Sequence, residues 1–520
     1  MLLLIHPPVM KPCEPPAGIA KIAGVLKHFG VRVALLDANI EGLNHLLGSP
    51  VKLTDTWTKR AARNFLNNLA SIKSFPVYQN LDRYKRAVND LNHLVEVVGL
   101  AKGVRLSLAN FQDQKLSPVK SNDLITAAER SEENPFSPYF KARLLEIVEH
   151  DQPAMIGFSL NYLSQALCTF AMAGWLKREF PGLKLILGGG LVTSWIKRPD
   201  WENPFKGLID HLIPGPGEYP LLSLLGVEGT KNISGLPDYT QLPLDDYLSP
   251  KLILPYSASS GCYWNRCSFC PERAEGNPYV PVSVDKVFTH LHALVKQTKP
   301  VLIHFLDNAL SPRLLTALSS HPLPAPWYGF ARFTSQLCDL DFCRALKQSG
   351  CVMLKLGLES GDQNVLDSLH KGIDLKEASQ ALKTLKTAGI ATCVYLIFGT
   401  LFENRTSAKK TLDFVVMHHK EIDFLNLAVF NLPVYGPEVG QVAAKQFYDG
   451  DLSLYTDFFH PQGWNRIQVR EFLDKEFTRH PAIACILRRE PPFFTSNHAP
   501  FFVIKSQGPV NSNFSLPYKG

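Results

Sequence analysis

The sequence predicts an α/β protein. A doubly wound, Rossmann-like N-terminal domain is followed by a full or partial (β/α)6 TIM-like barrel and a C-terminal cap. Three observations carry this. Short apolar runs of strand length alternate with amphipathic helical stretches in two successive series, the pattern of parallel sheets. The first series ends its strands on small or rigid residues: Pro7-Pro8, Ser159-Leu160-Asn161, Gly188-Gly189-Gly190 and Gly215-Pro216-Gly217-Glu218. The second opens on a strand followed at once by "SASSGCYWNRCSFCPE", which holds Cys262, Cys267 and Cys270.

In the first series "LLLIH" is a buried strand. In "GIAKIAGVLKHFG", Ile19, Ile22, Ala23 and Leu26 share one helical face, and Gly30 is placed to end the helix. "VRVALLDAN" is the next strand. After an interruption come "AMIGFSL", the helix "SQALCTFAMAGWLKREF", the strand "LKLILGGG", and a strand and helix in "LIDHLIPGPGEYPLLSLL". The interruption, about residues 50–145, is polar with helical segments such as "NLDRYKRAVNDLNHLVEVVGL". It reads equally as a lid or substrate wall and as a solvated helical insert. These elements make domain 1–226; residues 227–250 are turn-rich and read as a linker.

The second series, 251–435, starts with "KLILPYSAS". "VLIHFLDN" ends at Asp307, "WYGFARFT" carries Arg332, and "VMLKLGLES" ends at Glu359-Ser360. Asp374 is placed to cap the next helix, with Glu377 three residues on as a capping box and Gly389 as its stop. "ATCVYLIFG", "TSAKKTLDFVVMHHK" and "DFLNLAVFNLP" complete about six strand–helix units. Chemistry in such barrels sits at the C-terminal ends of the strands, where the cysteines fall. Residues 436–520 form an aromatic-rich cap.

Composition excludes several classes. The chain has 520 residues, 45% hydrophobic and 19% charged, with a net charge of +7. That is an ordinary globular composition without the dense basic, aromatic-laced stretch of a nucleic-acid binder. No apolar run approaches the roughly eighteen residues of a membrane span, and "MLLLIHPP" lacks the features of a signal peptide. The expectation is a cytoplasmic protein with no membrane and no nucleic-acid partner. Under reducing conditions its ten cysteines are not a disulfide framework. Seven are scattered, and for these a buried hydrophobic role is expected.

The three clustered cysteines have the spacing C-x4-C-x2-C, with Phe269 before the last. Four thiolates close a structural zinc site, whereas three on a four-iron cluster leave one iron open. A zinc site here needs a fourth ligand, from His304 or elsewhere.

The block "SGCYWNRCSFC" resembles the cluster-binding loop of radical S-adenosylmethionine (SAM) enzymes. "GCVMLKLGLESGDQNVLDSLHKG" and "AGIATCVYLIFGTLFEN" resemble the fourth- and fifth-strand regions of the cobalamin-binding branch, class B radical SAM methyltransferase-like. "PPVMKPCEPPAGIAKIAGVLKHFG", "MIGFSLNYLSQAL", "LILGGG" and "IPGPGEYPLL" resemble its cobalamin domain, in the same order. The resemblance covers about residues 1–48, 152–226 and 252–435. The sequence departs from the family in having four residues, not three, between the first two cysteines, and Leu401 where a proline is common. It also lacks the D-x-H-x-x-G signature of an axial histidine; "DHLIPG" at residues 210–215 has the wrong spacing.

The resemblance implies a 4Fe-4S cluster on Cys262, Cys267 and Cys270, with SAM chelated at the open iron. Phe269, Asp307, Arg332, Glu359 and Ser360 are then the candidates for SAM, with Glu403 a weaker one. Ser159, Asn161, Gly189, Gly190, Gly217 and Glu218 are the candidates for cobalamin, held without a histidine on cobalt. The implied reaction is methylation of an unactivated carbon or phosphorus through methylcobalamin and a 5′-deoxyadenosyl radical. It requires an external electron donor, flavodoxin- or ferredoxin-like, and a small-molecule or peptide substrate. The same cofactors also serve rearrangement, cyclisation and sulfur chemistry in relatives, and a non-enzymatic cobalamin- or zinc-binding module is a further alternative. The aromatic cap, with His460, Arg466, Arg470 and His498, either closes the barrel over substrate or packs with its polar groups satisfied.

Overall fold

The protein is described by a computed structural model covering residues 1–50, 55–198, 200–228, 235–436, 438–445, 449–492 and 498–503. The first sheet contains β1 (Leu2–His6), β2 (Val33–Asp37), β3 (Met155–Ser159), β4 (Lys184–Gly188) and β5 (His211–Ile213). All pair in parallel, in the order β2-β1-β3-β4-β5. The chain leaves β1 first to one side and then to the other. The crevice beyond β1 and β3 is therefore the topological switch point, where ligands of doubly wound sheets bind.

Strand β1 buries both faces. Leu3 and Ile5 of β1 enter one core with Phe158, Leu185 and Leu187. Leu2 and Leu4 enter a second core, which continues without a break into the C-terminal half through Leu254 and Tyr256. The interruption proves to be a structural layer. Its helix Leu81–Leu100 places Tyr84, Val88, Leu91 and Val95 in the same core as Leu3 and Ile5.

Residues 227–250 are also more than a connector. Tyr239 donates its hydroxyl to the Pro255 carbonyl at 2.5 Å, and Tyr247 donates to Asp37 Oδ2 at 2.7 Å. The Leu236 carbonyl lies so close to Gly24 that a Cβ there would fall 1.8 Å from it. Turn-rich composition here reflects a winding path that is fixed by side chains to both halves. Residues 229–234 of this stretch lie outside the described residues.

The second sheet holds β6 (Ile253–Tyr256), β7 (Leu302–Phe305), β8 (Trp327–Ala331), β9 (Cys351–Glu359), β10 (Ala391–Phe398) and β11 (Phe424–Val429). They are parallel and adjacent in chain order. Six strands with two free ends make a partial barrel. Alternation along them sets the two faces. Leu354, Leu356, Val394 and Leu396 meet the outer helices, while Ile253, Leu302, Tyr328, Met353 and Cys393 fill the lumen. The short helix Pro500–Val503 plugs the lumen's lower end through Val503. Asp374 caps helix Leu375–Ala388 as expected, accepting from the Lys376 and Glu377 amides, and Gly389 at φ 75° ends it.

Candidate active site

The cysteine loop leaves β6 toward the C-terminal mouth of the barrel. Gly261 stands at φ +69°, with the Pro278 carbonyl 2.3 Å from where a Cβ would sit, so only glycine permits this turn. Cys267 is buried, Cys262 and Cys270 are partly exposed, and all ten cysteines are free thiols. Burial pushes the Cys270 thiol up to about 11 and raises Cys267 as well, with the neighbouring Cys262 adding to both shifts. For Cys267 and Cys270 the thiolate therefore needs a cationic partner.

Among the described residues no group of three or more His, Cys, Asp or Glu converges on one ion position. A closed zinc site requires such convergence, whereas a multi-iron cluster takes each thiolate on a different iron. His304, the proposed fourth zinc ligand, is committed elsewhere. Its Nδ1 lies 2.8 Å from Glu14 Oε2 and its Nε2 3.2 Å from Lys355 Nζ, all three buried. Burial holds its imidazole down at about 4, neutral and bridging the N-terminal half to the lumen. The donor set fits a cluster.

The side chains proposed to meet SAM divide into two groups. Glu359, the last residue of β9 at φ +69°, accepts from Lys371 Nζ at 2.7 Å; that ammonium also lies 5.6 Å from the Phe269 ring centre. Arg332, just past β8, has one guanidinium nitrogen 3.9 Å from Cys267 Sγ and lies over the Trp264 ring at 4.2 Å. Glu359, Lys371, Phe269, Arg332 and Trp264 share the mouth with the cysteines. Asp307 is instead engaged with the loop backbone, accepting from the Ala258 amide at 2.9 Å and the Ser259 hydroxyl at 2.5 Å. Ser360 is fully buried, close to Thr411 Oγ1 at 3.3 Å and accepting from the Asp362 amide. Both fix the loops rather than face the opening.

Glu403 is fully buried, accepting from the Gly399 amide and, at 3.1 Å, from the Trp464 indole. Burial holds its carboxyl up at about 7, from an ordinary 4.5. Between those values the folded protein keeps a proton that the unfolded chain has released. Glu403 therefore contributes stability below pH 4.5 and loses it as pH rises through 7. Glu403→Gln keeps both acceptor bonds without a charge. It is expected to gain about 1–3 kcal/mol over the parent at pH 8 relative to pH 5. Melting temperatures at the two pH values check this, and equal differences at both contradict it. In the cap, His460 Nε2 meets the Thr400 carbonyl at 2.8 Å, Arg466 donates to the Phe430 carbonyl, and His498 meets Glu490 at 2.6 Å. Its polar groups are thus largely engaged in packing it onto the barrel. The expectations for residues 493–497 and 504–520 lie outside the described residues.

A cavity of about 560 Å³ lies between the two halves. Ser159, Asn161, Gly189, Gly190, Gly217 and Glu218 all line it, beside Lys21, Thr193 and Ser194. The facing wall is Ser260, Gly261, Pro271, Glu272, Glu275, Asn277, Pro278 and Val280, the flanks of the cysteine loop. Asn161 ties two strand ends together, accepting from the Gly190 amide at 2.9 Å and donating to the Ser159 hydroxyl. At Gly189, φ is +108° and a Cβ would lie 2.3 Å from the Leu160 carbonyl. Glu218 pairs with Lys21 at 2.8 Å.

Sequence reasoning missed Glu275. It accepts from the Ser194 hydroxyl at 2.5 Å, the Tyr435 hydroxyl at 2.8 Å and the Asn277 amide at 3.0 Å. It thereby joins the N-terminal half, the cysteine-loop flank and the end of the barrel segment at Tyr435. Partners 81 and 160 residues away leave no local spacing to find it by.

A three-thiol loop thus stands at the mouth of a parallel β/α barrel and faces the switch point of a Rossmann-like sheet. Residues 256–415 match the radical SAM superfamily, and the chain carries a radical SAM domain there, which implies a 4Fe-4S cluster and SAM. Among curated proteins it is 26% identical over 307 residues to an uncharacterized methyltransferase of Pyrococcus horikoshii, covering 52% of this chain and 66% of that one. It is 22% identical over 287 residues to the anaerobic magnesium-protoporphyrin IX monomethyl ester cyclase of Rubrivivax gelatinosus, covering 52% and 50%. The matches thus span about two thirds and half of the curated relatives.

Solved structures extend the likeness to nearly the whole chain. The cobalamin-dependent SAM radical enzyme OxsB, with aqua-cobalamin bound, superposes with a TM-score of 0.58 at 13% identity, covering 91% of this chain and 66% of that one. The radical SAM methyltransferase TsrM of Kitasatospora setae, with cobalamin and a [4Fe-4S] cluster bound, gives 0.52 at 14% identity, covering 94% and 91%. The fold is that of cobalamin-dependent radical SAM enzymes. Among the described residues no helix is long and apolar enough to cross a membrane.

Proposed function

We propose that the chain is a cobalamin-dependent radical SAM methyltransferase acting on an unactivated carbon or phosphorus. One observation carries this. The cavity at the switch point of the first sheet shares a wall with the cysteine loop, so a large planar ligand beyond the strand ends faces the barrel mouth. Bound together, the cluster, SAM and cobalamin would supply a reductively generated adenosyl radical and a transferable methyl group.

The chain's own residues then bind and exclude water. Cys262, Cys267 and Cys270 hold the cluster. The Glu359–Lys371 pair and Arg332 present charged groups to the amino acid end of SAM, and Phe269 offers an apolar face to its adenine. Asp307 and Ser360 support this from behind by fixing the loops. Gly189, Gly190 and Gly217 allow close backbone approach to cobalamin, and Ser159, Asn161 and Glu218 supply polar contacts around it. Glu275 couples that cavity to the cysteine loop through Ser194. Burial of the mouth keeps solvent from reactive species. The electron comes from an external flavodoxin- or ferredoxin-like donor.

The match to an anaerobic cyclase favours a second reading, the same cofactors used for non-methylating bond formation. Products separate the two. Anaerobic incubation of reconstituted protein with SAM, cobalamin and a chemical reductant is expected to yield S-adenosylhomocysteine together with 5′-deoxyadenosine. 5′-Deoxyadenosine alone supports the second reading, and neither product contradicts both.

A further inference from the structure

Arg332 is a buried cation, 7% exposed, with no carboxylate within ion-pair reach among the described residues. Buried charge without a counter-charge is strongly unfavourable, so its surroundings indicate what it is for. One nitrogen faces Cys267 Sγ at 3.9 Å and another donates to the Lys371 carbonyl. The guanidinium lies 4.2 Å over the Trp264 ring, a cation–π arrangement.

Trp264 sits in the four-residue interval between Cys262 and Cys267, where the family commonly has three residues. Asn265 takes up the additional length at φ +44°. The Trp264 indole donates to the His370 carbonyl at 3.0 Å, and the ring lies flush on Gly372. A Cβ at Gly372 would come within 2.1 Å of it. The Ser268 amide donates to the Leu369 carbonyl at 3.0 Å. Residues 369–372 are thus a seat for the lengthened loop. Of the other nearby cations, Lys371 is paired with Glu359, and Arg266, 5.1 Å over the same Trp264 ring, is exposed to solvent, which leaves Arg332 as the buried positive charge toward Cys267.

We propose that Trp264 is a platform pressing Arg332 against the Cys267 sulfur, so that Arg332 is a positioning residue that raises the reduction potential of the cluster. This rests on the cluster assignment above. A cation and an N–H donor at a cluster sulfur stabilise the more negative, reduced state.

The test is a redox titration of the reconstituted protein in the absence of SAM, followed by the cluster's electron paramagnetic resonance signal. Arg332→Gln and Trp264→Leu are expected to retain iron and to shift the potential to more negative values, the first by more. Arg332→Lys, which keeps the charge, recovers part of the shift. Unchanged potentials with weakened SAM binding would assign Arg332 to the SAM carboxylate alone and overturn the proposal. Loss of iron from both Arg332→Gln and Trp264→Leu would also overturn it, since these residues would then serve assembly. Absence of iron from the parent protein is a different result, which removes the cluster assignment itself.

Discussion

Cys267→Ala is expected to strip the protein of iron and abolish turnover. Cys267 is the most buried of the three clustered thiols and lies between the other two in the loop. The two thiols that remain leave a second iron without a protein ligand, and a cluster of about four irons is not retained on two thiolates. Cys343→Ala is the matched control. Cys343 is fully buried in the apolar core on helix Leu340–Gln348, and its loss should affect packing alone. Iron analysis after anaerobic reconstitution reads the difference directly. Full iron in the Cys267 variant would contradict the site.

The second large effect is expected at Gly190. This residue opens helix Gly190–Ile196 and lines the cavity. Its φ is ordinary, and a Cβ there meets nothing nearer than Asn161 Oδ1 at 3.7 Å. A larger side chain therefore fits the backbone while occupying space in the cavity. Gly190→Phe should weaken cobalamin binding at least about a hundredfold, the scale of about 2.8 kcal/mol or more, with iron content and melting temperature kept. Equilibrium titration with hydroxocobalamin measures this. Gly189 is the poorer probe, because its positive φ and its approach to Leu160 make any side chain there a folding defect. Parent-like cobalamin affinity in Gly190→Phe would place the ligand elsewhere.

Much of the architecture was legible because parallel strands announce themselves. "LLLIH", "MIGFS" and "LKLILG" are short apolar runs that end on, or are followed at once by, glycine, proline or serine. Helix Ala17–His28 keeps a 3.6-residue period, whereas helix Leu163–Glu179 is buried all round from Gln165 to Leu176. The cysteine loop was legible because its ligands are local, three within nine residues. What stayed hidden is long-range. The helices around residues 81–129 look solvated by composition, yet their apolar faces close over Leu3 and Ile5 of β1. Nothing in a polar helix says which sheet it will cover. The stretch 227–250 reads as a linker from its turns, and its anchoring depends on single tyrosines, Tyr239 and Tyr247, reaching distant groups.

The same limit governs the site. Arg332 and Asp307 occupy equivalent strand ends in the sequence, and both are natural partners for an amino acid cofactor. Their neighbours differ. Asp307 is held by the backbone of the cysteine loop, and Arg332 by the ring of Trp264 and the sulfur of Cys267. His304 looked available as a ligand because its strand position does not reveal Glu14, 290 residues earlier, on its Nδ1. Glu275 carries no motif at all, and its role appears only once three parts of the chain meet.

The central claim is that one chain holds an iron–sulfur cluster and cobalamin face to face. Its most direct test is metal analysis of the unmodified protein, purified and reconstituted anaerobically with iron, sulfide and hydroxocobalamin. The account predicts about four irons and about one cobalt per chain, with both a cluster and a corrinoid absorption spectrum. Zinc in place of iron, or a full cluster with no retained cobalt, would contradict it.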